Sequence, residues 1–318
     1  VNRKLTTPKG SDKATATILI ATLIAVLLPA CSIRRTAVNV IGNALAGGGS
    51  TYTSDDDPDL IREAIPFGLK TYESLLEEVP EHRGLLLSAA SGFAAYAYLL
   101  QDEADRLEAA DLVHARALQG RAAKLYIRGR DYAIRGLEVA HPHFRETLVK
   151  DRNVALAMTT PEDVPFLYWA GASWAGALTA AKDNLDLIAE LPTAGALVGR
   201  VLELDEAFEG GAAHEFFVSY EGSRPGGSAA RAREHYRNAL ALSRGQRASV
   251  HLALAETVTV QEQNIGEFRS LLAAALAVDP EQPRHLRLIN TIARRRAQWL
   301  RTRIPDLFVE ESQKEDTP

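Results

Sequence analysis

The sequence predicts an all-α chain of stacked helix pairs, an α-solenoid, over residues 58–308. Three observations predict it. Alanine and leucine dominate, and alternating β-branched runs are missing. Breakers fall where paired helices would turn: Pro80, Pro142, Pro161, Pro192, Pro225-Gly226-Gly227, Gly245, Pro280 and Pro283. A weak pattern also recurs five times: a small or apolar residue, another four later, a third three after that, and a stop five further on. Its copies are Gly68-Tyr72-Leu75-Pro80, Gly129-Ala133-Gly136-His141, Ala194-Val198-Val201-Glu206, Ala232-Tyr236-Ala239-Arg244 and Phe268-Leu272-Ala275-Pro280. This is the pattern of the second half of a tetratricopeptide repeat, in which a small residue lets two helices approach closely. The last two intervals, 38 and 36 residues, lie near the ~34 of that repeat. The longer earlier intervals leave room for extra helices.

The elements follow in order. Ser54-Asp55-Asp56-Asp57-Pro58 reads as a helix start, with an Asp cap and proline at the first helical position. Calcium binding by the three aspartates is the weaker reading, because no ligand-bearing loop follows. Helices are expected near 58–79, 82–102, 105–139, 163–182, 192–208, 211–223, 228–243, 247–259, 264–278 and 284–304. The last carries Arg284, Arg287, Arg294, Arg295, Arg296, Arg301 and Arg303 among apolar residues. It suits a capping helix with one wet face, and recognition of an anionic partner is the sharper alternative.

The N-terminus reads differently. Arg3, Lys4, Lys9 and Lys13 precede an apolar run from Ala14 to Leu28, and Leu28-Pro29-Ala30-Cys31 follows. About fifteen apolar residues are too few to span a bilayer comfortably, and the flanks fit a secretory signal peptide. Cys31, the single cysteine, reads as the lipidated first residue of a bacterial lipoprotein. The expected organisation is a signal peptide over 1–30, a flexible tether over 31–57 containing Gly47-Gly48-Gly49-Ser50, a helical domain over 58–308 and a polar tail over 309–318. The expected location is the periplasmic side of a membrane, outer membrane favoured, because Ser32 and not Asp follows Cys31.

The chain has 318 residues, with 36 Lys+Arg against 41 Asp+Glu. Removing Arg3, Lys4, Lys9, Lys13 and Asp12 with the first thirty residues takes the net charge from −5 to −8. That is no footprint for nucleic acid. With Cys31 acylated no disulfide is available, so packing alone must hold the fold.

No enzyme signature survives inspection. Gly171-Ala172-Ser173-Trp174-Ala175-Gly176 has one residue too many for a nucleophile elbow, and it lies inside a helix. An enzyme would need Ser173 exposed beside His214 or His251. His141-Pro142-His143 lacks further metal ligands at a matching spacing, and His214-Glu215 is followed by Val218 where a zinc protease has its second histidine. No catalytic, cofactor or metal residues are assigned.

Aromatic residues cluster on three helices, and core filling explains most of them. Tyr and Trp also suit the wall of an apolar cavity with a few directed hydrogen bonds. The candidate ligand cleft is Tyr96, Trp169, Trp174, His214 and Tyr220, with His214 available to pair with a carboxylate.

Segments spread along the chain carry a family resemblance. They are Ser54 to Leu76, Leu85 to Tyr98, Val164-Pro-Phe-Leu-Tyr-Trp169, Lys182-Asp-Asn184, Leu204-Asp-Glu-Ala-Phe208, His214-Glu-Phe-Phe-Val-Ser-Tyr220 and Ala232-Arg-Glu-His-Tyr236. Their order and spacing resemble the T-component of TRAP transporters, the TatT family. The resemblance implies a periplasmic lipoprotein of tetratricopeptide-like helix pairs, assembled as a homotrimer. It also implies docking of the periplasmic TRAP substrate-binding protein and passage of a small organic acid. A scaffold lipoprotein of envelope assembly, binding peptide segments, is the rival reading.

Overall fold

The computed structural model describes residues 38–45, 50–181 and 183–309. The proposed signal peptide, Cys31 and the polar tail from 310 onward lie outside the described residues. Among the described residues every regular element is helical.

The first long helix, α1 (Pro58–Glu78), starts as the sequence predicts: the Asp57 side chain accepts from the backbone of Asp59 and Leu60, and Pro58 occupies the first position. It is followed by α2 (Arg83–Leu107) and α3 (Leu112–Ala140). The break between α2 and α3 falls after Leu107, later than the expected 102–105, because the side chain of Asp111 caps α3 by accepting from His114 N at 3.0 Å. Two short helices, α4 (Phe144–Lys150) and α5 (Arg152–Ala157), fill the stretch 140–163, for which no helix was expected. α4 anchors by Phe144 and Leu148 and α5 by Ala155, and both are too short to show helical periodicity.

Next come α6 (Val164–Ala180) and α7 (Leu185–Leu204). Pro192, expected as a breaker, lies inside α7. A proline removes one backbone hydrogen bond from a helix interior, and here the buried Ala194, Leu197, Val198 and Val201 hold the helix against its neighbours. The second half contains α8 (Ala212–Ser223), α9 (Ala229–Leu242), α10 (Ala248–Leu254), α11 (Ile265–Ala277) and α12 (Arg287–Thr302). Directly after α10 the chain widens into one π-helical stretch, Ala255–Thr259.

Successive helices pack as neighbours: α1 on α2, α2 on α3, α6 on α7, α8 on α9, α10 on α11 and α11 on α12. Close approach is set by small residues. At Gly129 an added Cβ would stand 2.9 Å from the Ala90 carbonyl, and at Gly171 2.8 Å from that of Ala194. Two apolar clusters result. One is built mainly on α1–α7 and the other on α8–α12 with Ile304 and Phe308.

The segment expected as a tether also makes contacts. Residues 38–45 are helical and Ser50–Thr53 form one turn. Val38 and Tyr52 pack on the first cluster, with Tyr52 against Gly68. Apolar side chains flanking the glycines give this stretch something to bury.

Candidate functional site

The C-terminal helix returns to the start of the domain. Arg287 pairs with Asp56 at 3.0 Å, and Arg295 with Asp59 at 2.7 Å. Arg296 reaches Asp102 at 3.2 Å and Asp105 at 2.9 Å on α2, and Glu256 at 2.5 Å in the π-helical stretch. Arg294 donates to the Val278 carbonyl at 2.9 Å, and Arg303 pairs with Asp306. The arginines of α12 therefore do not form one wet capping face. Several are spent within the chain, and three join its two ends.

Where α12 meets α2 an enclosed polar cluster forms. Tyr98, Asp102 and Asp105 stand at i, i+4 and i+7 and share one face of α2. Asp102 is buried and also pairs with Arg106 at 3.0 Å. Burial raises the Asp105 carboxyl above its ordinary range, although Arg296 pulls it down. The Arg296 guanidinium is held strongly in its charged form by Glu256, Tyr98 and Asp105, against the cost of its own burial. A narrow gap of about 10 Å³, the size of one water, borders Asp102 between α1, α2 and α12.

Tyr98 and Tyr126 lie in the field of this cluster, and Tyr168 in that of the Arg247–Glu215 pair. Burial pushes the hydroxyls of Tyr98, Tyr126 and Tyr168 far up. Tyr98 lies in the field of Arg296, Asp102, Glu256 and Glu215; Tyr126 in that of Tyr98, Asp105 and Arg296; Tyr168 in that of Glu215, Arg247 and Glu209. Arg247 donates to Glu215 at 2.8 Å and to the Glu209 carbonyl at 3.1 Å. Tyr98 and Tyr168 are half-buried, and Tyr126 is buried.

The five residues expected to line a cleft are placed as follows. Tyr96 is buried and its hydroxyl accepts from Arg121 at 3.0 Å. Trp169 is half-buried and edge-on to Tyr168 at 5.2 Å. Trp174 donates to Glu190 at 2.7 Å with Arg130 over its ring. Tyr220 stacks on Phe216 and packs against Gly195. Trp174 and Tyr220 thus both lean on α7, at positions five residues apart. His214 is buried between Glu206 Oε1 at 2.9 Å and His235 Nδ1 at 2.8 Å. It pairs with a carboxylate as its chemistry invites, and that carboxylate is the chain's own. A second cleft, of about 190 Å³, lies by Glu221, Arg224, Gly227 and Glu262, and none of the five borders it.

Tyr126 escaped sequence reasoning, while Tyr98 and Tyr168 were visible only as members of aromatic clusters and Arg296 only as one of the arginines of the last helix. A signal existed in Tyr98-x₃-Asp102-x₂-Asp105, since two acids on the same face as an aromatic, in an otherwise apolar helix, need an explanation.

The groups a hydrolase would need are kept apart. Ser173 Oγ is fully buried without a partner, His214 is bracketed as above, and His251 contacts the Tyr236 hydroxyl at 2.9 Å. His141 instead pairs with Asp163 at 2.7 Å, which Arg83 also holds and which caps the turn into α6. Glu206 and His235 sit at opposite ring nitrogens of His214 and cannot converge on one ion. Among the described residues no group of three His, Cys, Asp or Glu is arranged to hold a metal.

Comparison with known proteins decides the family: the TRAP transporter T-component model matches residues 54–308. The chain belongs to the TRAP transporter T-component family. The match covers the whole helical array, including both α2 and α12 of the enclosed cluster. An uncharacterized protein of Treponema pallidum (strain Nichols) is similar at 28% identity over 306 residues, covering 89% of this chain and 95% of that protein. Family membership associates the chain with a transport system of the bacterial envelope, and the T-component is a transport component.

Proposed function

We propose that this T-component is a lipid-anchored docking subunit. It holds the periplasmic substrate-binding protein of its TRAP system and shelters or passes a small amphipathic organic acid. Family membership supports the setting, and an exposed apolar rim carries the docking reading. Val149 (85% exposed) on α4, Val154 on α5 and Met158 just after it are exposed, as are Leu185 (78% exposed) and Ile188 at the start of α7. The elements touch through α5 and α7, where Arg152 donates to the Thr193 hydroxyl at 3.4 Å. Large exposed apolar side chains gathered on adjoining elements mark interaction surfaces. Lipid attachment at Cys31 would hold this rim near the membrane and raise the effective concentration for its partner. Homotrimer formation would present three such rims.

The test is a titration of the cognate substrate-binding protein by calorimetry, against the unaltered chain and a Val149→Asp, Leu185→Asp double variant. Charges in a desolvated apolar contact should weaken the complex by at least about ten-fold, a loss of about 1.4 kcal/mol. Equal affinity for both chains, with both folded, would remove the rim from the docking surface. Light scattering on the same samples reads the subunit count separately.

A further inference from the structure

We propose that the cleft between the α8–α9 turn and the end of the π-helical stretch binds a small zwitterion, a molecule with a carboxylate at one end and an ammonium group at the other. The proposal goes beyond the docking reading and does not depend on it, because the apolar rim lies on α4, α5 and α7.

The first argument is space. The cleft, of about 190 Å³, is lined by Arg224, Gly227 and Ala229 from the turn and by Gln261 and Glu262 from beyond the π-helical stretch. The gap beside Asp102 has room for one water, whereas this cleft has room for a small organic molecule. Its shape depends on glycines. An added Cβ at Gly227 would collide with the Glu221 carbonyl oxygen, and Gly226 takes a φ of +70°. A Cβ at Gly222 would collide with Thr257 in the π-helical stretch, so α8 and that stretch meet closely there. Isolated π-helical turns are rare and recur at functional sites, and this one contributes Val258 to the lining.

The second argument is charge, which has opposite signs on the two sides. Glu221 is buried and accepts from both Arg224 and Arg231 at 2.9 Å. Two guanidinium groups share one carboxylate, so the turn side carries a spare positive charge. Arg224 commits Nε and Nη2 to Glu221, which leaves Nη1 for a ligand. The first turn of α9 begins at Ala229 and adds its positive end. Across the cleft the ratio is reversed. Arg233 bonds both Glu262 at 2.6 Å and Glu267 at 2.7 Å, so one cation shares two carboxylates. Gln261 donates its amide to the Gly222 carbonyl at 2.7 Å and keeps its own oxygen as an acceptor.

A zwitterion answers both sides. Its carboxylate accepts from Arg224 and the first turn of α9, and its ammonium group donates to Gln261 and Glu262. A simple carboxylate leaves the negative side unanswered, and a simple amine leaves the positive one. Val258 and Ala229 are the apolar side chains of the lining, which suits a short carbon spacer.

The experiment uses three probes with one four-carbon skeleton, 4-aminobutyrate, butyrate and butylammonium, titrated by calorimetry into the purified full chain near neutral pH. 4-Aminobutyrate should bind at least about ten-fold more tightly than either single-ended probe, as one added charge-assisted hydrogen bond gives. Arg224→Gln leaves Glu221 to Arg231 and the Ser228 N–H, so the fold keeps its buried carboxylate paired. It should weaken 4-aminobutyrate about ten-fold and leave butylammonium unchanged. Ala229→Leu fills the cleft without touching a charge and should abolish binding at an unchanged melting midpoint. A single-ended probe binding as tightly as 4-aminobutyrate, no binding of any probe by the folded chain, or full binding by either folded variant would overturn the assignment. A chain that docks its binding protein but takes no probe would sink this inference alone.

Discussion

At His235, burial and the adjacent His214 hold the imidazole below its ordinary protonation range, and burial does the same to His251 beside Tyr236. The contact between His214 and His235 runs Nδ1 to Nδ1, so it needs one nitrogen to donate and the other to accept. Fully protonating both rings would set two N–H groups against each other. Around His235 stand Glu234, Glu221 and Arg231, and on its other side Glu206 through His214. The sign follows from linkage. The unfolded chain takes up protons near pH 6.5, where the folded chain does not, so stability is full above that pH and declines as pH falls through the lowered folded values. The melting midpoint should therefore drop between pH 7 and pH 5, and His235→Gln with His251→Gln should flatten that drop. An unchanged slope in the double variant would show that other groups set it. The sequence made His214 visible as a titratable group on an aromatic helix. Its partner His235, 21 positions away, was not visible, because pairing across helices leaves no local pattern.

At the scale of elements, the long helices were legible because their caps and apolar spacing are local. Asp57-Pro58 fixes the start of α1, and Asn264 starts α11 by accepting from Glu267 N at 3.1 Å. The elements that escaped, α4, α5 and the π-helical stretch, depend on what they pack against. Close packing of α6 on α7 gives a direct test. Gly171→Ala would put a Cβ 2.6 Å from Val198 Cγ2 and 2.8 Å from the Ala194 carbonyl, which cannot rotate away. Overpacking of this kind should cost about 1–3 kcal/mol in urea unfolding. Gly120→Ala is the control. It meets nothing within 4 Å inside α3, and should stabilise by about 0.5–1 kcal/mol through helix propensity. Equal effects at the two sites would contradict the close approach of α6 and α7.

At the scale of the molecule, the striped arginines of α12 were read as a terminal cap, and the fold uses them to bring its ends together. The Arg287–Asp56 and Arg295–Asp59 bonds link residues 231 and 236 positions apart. No repeat pattern encodes such a closure, because it pairs the first unit with the last. The pairs differ in weight. Arg287 faces half-exposed carboxylates, so Arg287→Ala should cost under about 1 kcal/mol and less in high salt. Arg296→Ala leaves Asp105 and Glu256, both largely buried, without their cation and Asp102 with Arg106 alone, and should cost about 3–5 kcal/mol. Similar small losses in both would mean that apolar contact alone closes the array. The fold built this way leaves a polar cluster at the join and exposed apolar side chains away from it. On the function proposed above, such a subunit would hold a partner protein and a small molecule. Native mass spectrometry of the mature chain mixed with its cognate substrate-binding protein examines that directly. The expected spectrum contains a complex of the two proteins, with a small-molecule mass retained on the T-component. Free proteins only, with no adduct on a folded chain, would contradict it.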